Sequence, residues 1–169
     1  RTIGREDVID GLSARLLATQ FVTLRGPGGI GKTTVALAVA HELSTRQGPP
    51  VHFVDLGPLK DPDLVASTVA SVLHLTVQSA DPTSSIIKFL AGQRRVLILD
   101  SCEHVIEQAA RLAETIYLQA PGTGILATSR ESLLVQGEQI VELPPLKTPP
   151  ADQALSSEQL LSYPAVQLL

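Results

Sequence analysis

The stretch "LRGPGGIGKTTVALAVAHEL", Leu24 to Leu43, decides the fold of this chain. Four glycines and one proline fall within six residues of it, Gly26 to Gly31, and a lysine and two threonines follow at once. Gly26 to Thr33 match the pattern G-x-x-x-x-G-K-[ST] at every fixed position. Glycines allow the positive φ values that turn successive backbone N–H groups toward one centre, and the following helix adds its positive end. We therefore predict a loop that binds the phosphates of a nucleotide.

Side chains at the end of this loop add charge and a metal ligand. Lys32 is predicted to supply a mobile cation to the outer phosphates, and Thr33 a hydroxyl to a Mg²⁺ ion that bridges them. The alternative is a glycine-rich turn that merely joins a strand to a helix, but the lysine and the threonine also fall in register. The residues predicted here to bind the nucleotide are Gly26, Pro27, Gly28, Gly29, Ile30, Gly31, Lys32, Thr33 and Thr34.

Short β-branched or leucine-rich runs predict five strands around this loop. They are Phe21 to Leu24, Val51 to Leu56, Val96 to Asp100, Gly124 to Ser129 and Gln139 to Leu143. Most are apolar at consecutive positions, which is typical of parallel strands covered on both faces. Helical segments are predicted between them, at Thr33 to Leu43, after Asp61-Pro62, after Asp81-Pro82 and at His104 to Gln119. The alternation predicts an α/β fold, a doubly wound and mainly parallel five-stranded sheet with helices on both faces.

Three polar side chains follow predicted strands that should share one edge of this sheet. Asp100 ends a buried strand, as expected for the carboxylate that holds a magnesium ion, although aspartate also caps helices. Glu103 could activate an attacking water or form a capping box with the Asp100 amide. Arg130 follows "GILATS" and could reach a γ-phosphate or be a surface residue. The predicted catalytic residues are thus Lys32, Asp100, Glu103 and Arg130, with Thr33 and Asp100 as metal ligands.

Composition limits the class of protein. The chain has 169 residues, enough for one domain of usual size, and its formal net charge of -4 argues against direct binding of nucleic acid. The single cysteine, Cys102, favours a reducing, cytoplasmic compartment, and no apolar run is long enough to span a membrane. Since the chain opens at Arg1, we expect it to be part of a longer protein. Residues 1–147 are predicted to form the nucleotide-binding domain, and 148–169 a linker and the start of a truncated helical domain.

Together these motifs resemble the STAND class of P-loop ATPases, and within it the NB-ARC-like domains of bacterial transcriptional regulators. The resemblance runs from Ile3 to about Leu146 through "IGRE", "GPGGIGKTT", "LILDSCEH", "LATSR" and "VELPPLKTP". It implies that Gly4 and Arg5 lie near the adenine and ribose, and that Arg130 acts as a sensor of the γ-phosphate. Ser101 departs from the pattern, because members usually carry Asp or Asn there, which shifts the water-activating role toward Glu103.

The resemblance implies an ATP/ADP switch that slow hydrolysis resets. Helical and winged-helix domains of the same chain would then close over ADP, and self-association is expected only of the full-length protein in its ATP state. A P-loop kinase acting on a small metabolite is the main alternative, but the predicted helical segments Asp61 to Leu75 and Ser84 to Leu90 offer no arginine for its lid. A ring-forming ATPase motor would need an arginine finger in trans, which the sequence does not identify.

Overall fold

Five parallel strands form the sheet of the computed structural model, which describes residues 4–76, 81–146, 148–149 and 163. The strands are Phe21–Arg25 (β1), Val51–Asp55 (β2), Arg95–Asp100 (β3), Thr123–Ser129 (β4) and Glu138–Glu142 (β5). They lie in the order β2-β3-β4-β1-β5, and every neighbouring pair is parallel. Each strand begins and ends within one residue of its predicted bounds. The strands β3 and β4 are buried along almost their whole length, as their consecutive apolar residues indicate.

Five α-helices occur in the described residues. They are Glu6–Leu17 (α1), Lys32–Thr45 (α2), Val65–Val72 (α3), Pro82–Leu90 (α4) and Ile106–Gln119 (α5). Both Asp-Pro pairs begin helical structure, as predicted. The Asp61 carboxylate accepts from the Asp63 amide at 3.0 Å and caps a 3₁₀ turn, Pro62–Leu64, that precedes α3, and Asp81 accepts from Thr83 at 3.1 Å and caps α4. The helix predicted from His104 begins later, at Ile106, because a 3₁₀ turn occupies Cys102–His104.

The first helix was not predicted. Its buried positions are Ile9, Leu12, Ser13 and Leu16, which follow helical spacing. Its N-cap, Arg5, makes no side-chain capping bond, so the usual signal for a helix start is missing.

Helices cover both faces of the sheet, as predicted. On β3, Leu97 and Leu99 enter the apolar core that contains residues of α3, α4 and α5. Val96 and Ile98, which alternate with them, enter a second core with α1 and α2. Adjacent residues of one strand thus supply two separate cores, which explains the unbroken apolar run in the sequence.

The register of the sheet brings the predicted site residues to one edge. Arg25 at the end of β1 pairs with Ser129 at the end of β4, and Leu99 on β3 pairs with Ala127 on β4. The glycine-rich loop after β1, Asp100 and the residues after β4 therefore meet at the carboxyl edge, where open α/β sheets bind ligands.

Two further predictions concern regions away from this edge. The predicted linker and truncated helical segment, 148–169, lie almost wholly outside the described residues. Within the part of the chain that is described, no helix is both long enough and apolar enough to cross a membrane.

Candidate functional site

The glycines of the loop meet two different requirements. Gly29 and Gly31 have φ values of +78° and +100°, in the left-handed region that side chains disfavour. Gly26 and Gly28 are needed for close approach. A Cβ at Gly26 would lie 3.1 Å from Ile30 Cγ2, and one at Gly28 would lie 3.0 Å from Arg130 Nη2. The predicted positive φ values are thus found at two of the four glycines, and the other two let side chains close over the loop.

The loop ends at the positive end of α2. Gly31 is the N-cap, it has no side chain to cap the helix, and no acidic residue lies in the first turn. The first amides of a helix have no acceptor within it, and they carry the positive end of its dipole. An anion is therefore the natural partner for the N-terminus of α2.

Lys32 is buried and hydrogen-bonded to the glycine-rich loop. Its side chain is only 8% exposed, and its ammonium donates to the carbonyls of Gly26 at 2.8 Å and Pro27 at 3.1 Å. The lysine thus folds back onto the loop and ties its two ends together, and its role as a cation for the outer phosphates stays a prediction. An ammonium has three protons, so these two bonds leave one for an anion above the loop.

Asp100 is buried at the centre of a hydroxyl network. It is 2% exposed and accepts from Thr33 Oγ1 at 2.8 and 3.1 Å, and from Thr128 Oγ1 at 2.6 Å. The N-cap of the following 3₁₀ turn is Ser101, which makes no side-chain capping bond, so the capping alternative for Asp100 is wrong. A hydroxyl and a carboxylate in contact are hard oxygen ligands, and the pair fits a Mg²⁺ ion.

Glu103 and Arg130 face each other across the mouth of the site. Glu103 Oε1 lies 3.6 Å from Arg130 Nε, and the guanidinium rests against Gly28. The carboxylate therefore pairs with an arginine, which speaks against the capping-box alternative. Glu103 Oε2 is buried and has no hydrogen-bond partner within the described chain. Arg130 is exposed, as a surface arginine would be, but it lies over the phosphate-binding loop.

These groups surround one cavity of about 360 Å³, a size typical of small-ligand sites. Its lining residues are Gly28, Gly29, Gly31, Lys32, Thr33, Thr34, Ser101, Glu103, Thr128 and Arg130. Asp100 lies behind the lining and reaches it through Thr33. Thr128 was not predicted as a site residue, although it is the penultimate residue of β4 and so lies at this edge.

Gly4 and Arg5 lie apart from this cavity. Arg5 is buried, it donates to the Ile30 carbonyl at 3.3 Å and to the Pro144 carbonyl, and its burial lowers the pKa of the guanidinium. Gly4 and Arg5 line a second cavity of about 470 Å³ together with Glu6, Asp7, Val8, Pro144 and Pro145. Arg5 thus joins α1, the glycine-rich loop and the segment after β5.

Cys102 lies two residues after Asp100 but does not line the cavity. It is fully buried in the core, its thiol contacts the Leu99 carbonyl at 3.4 Å, and burial raises its pKa.

Relatives of this domain occur in longer bacterial proteins. A Mycobacterium tuberculosis protein, provisionally named an HTH-type transcriptional regulator, is 37% identical over 128 residues. The match covers 75% of this chain but 14% of that protein, so this chain spans about a seventh of its relative.

Solved structures and a family model identify the fold and the family. A Pyrococcus horikoshii STAND protein with a tetratricopeptide repeat sensor has a TM-score of 0.62 at 16% identity, over 86% of this chain and 24% of that chain. AMPPCP-bound DnaA from Aquifex aeolicus has a TM-score of 0.50 at 19% identity, over 86% and 47%. Such low identities show a shared fold. The model described as "NB-ARC domain" matches residues 5–141. This chain therefore belongs to the NB-ARC domain family.

Proposed function

We propose that this domain is the ATP/ADP-binding switch of a longer, signal-transducing transcriptional regulator. The observation that carries the proposal is the cavity in which the glycine-rich loop, Lys32, Thr33 and Arg130 converge. Backbone amides, a helix N-terminus and two cations suit a ligand that carries several phosphates. The transcriptional output rests on the name of the mycobacterial relative, and nucleotide binding is also supported by the AMPPCP bound to DnaA.

Each group has a defined role in this proposal. The loop from Gly26 to Thr34 and Lys32 bind the phosphates, and Arg130 contacts the γ-phosphate. Thr33 and Asp100 would hold Mg²⁺, which neutralises phosphate charge when bound. Glu103 Oε2, buried without a partner among the described residues, would orient the attacking water. Gly4 and Arg5 would lie near the base and ribose.

Slow hydrolysis fits the pairing of Glu103 with Arg130. Both groups that would serve the γ-phosphate are tied to each other, and the arginine is 64% exposed. An exposed ion pair contributes little, so a phosphate can displace it.

One charge-assisted contact contributes about 1.5 to 3 kcal/mol, whereas full conversion of a two-state switch takes about 5.5 kcal/mol. The remaining discrimination would come from helical and winged-helix domains of the same chain, and self-association would belong to the full-length ATP state.

Titration of ADP and a non-hydrolysable ATP analogue into wild type and two variants tests the proposal. Lys32→Ala should weaken both ligands by about ten- to a hundredfold. Arg130→Ala should weaken the analogue by about tenfold or more and leave ADP nearly unchanged. Lys88→Ala and Arg111→Ala, which remove exposed cations on α4 and α5, are the controls. Melting temperatures are measured alongside, because Lys32 also holds two loop carbonyls.

Two results would contradict this function. Unchanged titrations in Lys32→Ala would refute the phosphate-binding loop, and equal losses of both ligands in Arg130→Ala would refute the sensor role. Steady ATP turnover that depends on an added metabolite would favour the kinase alternative. ADP retained through purification would favour the switch.

A further inference from the structure

Thr128 lies at the contact between the two central strands of the site. It is 1% exposed, and its hydroxyl bonds to Asp100 Oδ1 at 2.6 Å and to the Ser101 amide at 2.9 Å. The amide of Ser101 can only donate, so the hydroxyl accepts from it and gives its single proton to Asp100. Both hydrogen bonds therefore have a fixed direction.

The sheet places Thr128 beside Asp100 by register. Leu99 on β3 pairs with Ala127 on β4, and Asp100 and Thr128 are the next residue on each strand. A one-residue shift would turn Thr128 to the other face of the sheet. The contact is therefore fixed by the core and does not depend on a surface loop.

The two oxygens of Asp100 differ in their partners. Oδ1 takes the short bond from Thr128 and the longer of the two bonds from Thr33. Oδ2 takes the shorter bond from Thr33 and a bond of 3.3 Å from Ser101 Oγ. Thr128 supplies the shortest of these bonds, and thus helps to fix the rotation of the carboxylate in which Oδ2 is turned toward the Thr33 hydroxyl.

We propose that Thr128 is a positioning residue, which orients Asp100 for a divalent cation bound together with the nucleotide phosphates. This inference rests on the proposed nucleotide function. Groups that orient a metal ligand without touching the metal typically change metal affinity by about 10- to 100-fold when they are removed. Because Thr128 acts through Asp100, loss of its hydroxyl should lower the affinity for the cation more than the affinity for nucleotide without the cation.

The test separates these two contributions. ADP affinity is measured with EDTA and across a Mg²⁺ titration, in wild type, Thr128→Val and Thr128→Ser. Thr128→Val should lose about tenfold or more in apparent Mg²⁺ affinity, a clearly larger loss than its loss of ADP affinity in EDTA. Thr128→Ser, which keeps the hydroxyl, should resemble wild type. Equal losses with and without Mg²⁺ in Thr128→Val would overturn the proposal, since they indicate a direct nucleotide contact or a general structural role.

A double-mutant cycle tests whether Thr128 acts through Asp100. In an Asp100→Asn background, Thr128→Val should have little further effect on Mg²⁺ dependence, and a full additive effect would overturn the proposal. If Thr128→Val does not fold, Thr128→Cys keeps the size with a weaker donor, and its Mg²⁺ affinity should fall below that of Thr128→Ser. A different result, in which wild type binds no nucleotide with or without Mg²⁺, would refute the proposed nucleotide function itself.

Discussion

The guanidinium of Arg130 lies directly over Gly28, so that a Cβ added to this glycine would come within 3.0 Å of Nη2 and 3.2 Å of Cζ. Gly28 is not among the glycines with positive φ, and a side chain there meets no backbone obstacle. The absence of a side chain at Gly28 is therefore what lets the proposed sensor rest on the phosphate-binding loop.

Gly28→Ala should impair nucleotide discrimination without unfolding the domain. The added methyl group displaces the flexible end of Arg130, which is cheap for the fold, so the melting temperature should change little. The preference for an ATP analogue over ADP should fall as it does in Arg130→Ala. Titration calorimetry of both nucleotides measures this, and an unchanged preference would show that the contact with Gly28 is incidental.

Gly29→Ala is the matched control for this prediction. A Cβ at Gly29 would meet nothing within 4 Å, but its φ of +78° is unfavourable for alanine. Such a substitution costs about 1 to 2 kcal/mol of stability. Gly29→Ala should therefore lower the free energy of unfolding and weaken both nucleotides alike, which is the opposite pattern to Gly28→Ala.

Glu103→Gln should slow ATP turnover far more than it weakens ATP binding. A general base contributes about 10²- to 10⁴-fold, and the amide keeps the size of the side chain but cannot take a proton. It also removes the ion pair with Arg130, so the arginine becomes free to contact phosphate. Single-turnover hydrolysis and binding are measured together. Ser101→Ala serves as the control and should change turnover little, whereas undiminished turnover in Glu103→Gln would exclude Glu103 as the base.

Local patterns predicted most of the fold and the phosphate-binding loop. Strands buried on both faces are unbroken apolar runs, and the glycine-rich loop is continuous in sequence. Helix α1 was missed although Ile9, Leu12 and Leu16 have helical spacing, because no capping side chain precedes them. The predicted helices α2, α3 and α4 follow the glycine-rich motif or an Asp-Pro pair, which are stronger signals in the sequence.

The contacts between distant parts of the site could not be predicted in this way. Thr128 meets Asp100 only because β3 and β4 pair in one register, and spacing along the chain carries no information about that register. The same holds for Arg130 with Gly28. The burial of Lys32 was also missed, because the motif specifies a lysine but not the loop carbonyls that hold it.

Ser101→Gly should be more stable than Ser101→Ala. Ser101 has φ of +63° and ψ of +52°, a left-handed conformation that costs a residue with a Cβ about 1 to 2 kcal/mol. Both variants lose the bond from Ser101 Oγ to Asp100 Oδ2, so comparing them isolates the backbone. Urea unfolding should give glycine an advantage of about 1 kcal/mol. Ala14→Gly, at an exposed position of α1, is the control. It should lower the free energy of unfolding by about 1 kcal/mol, because glycine is unfavourable inside a helix. Equal stability of the two Ser101 variants would show that the strain is absent.

His52 lies at the opposite end of the sheet from the cavity. Its Nε2 lies 3.2 Å from Arg95 Nη1, and the Arg95 guanidinium also stacks on Phe89, with Cζ 4.2 Å from the ring centroid. Because a guanidinium only donates, His52 Nε2 must be the acceptor, and the ring is neutral. Burial, then the charges of Arg95 and His74, lower the pKa of His52.

Protonation of His52 should therefore destabilise the fold in mild acid. The unfolded chain takes up this proton near its ordinary pKa of about 6.5, before the folded protein does. The free energy of unfolding should be unaffected by His52 above about pH 7 and should decrease as the pH falls through 6.5 toward the lower pKa of the folded state. Urea unfolding between about pH 5 and 8 measures it. His52→Gln should flatten the acid side of the profile. Parallel profiles for wild type and His52→Gln would show that His52 is protonated equally in both states.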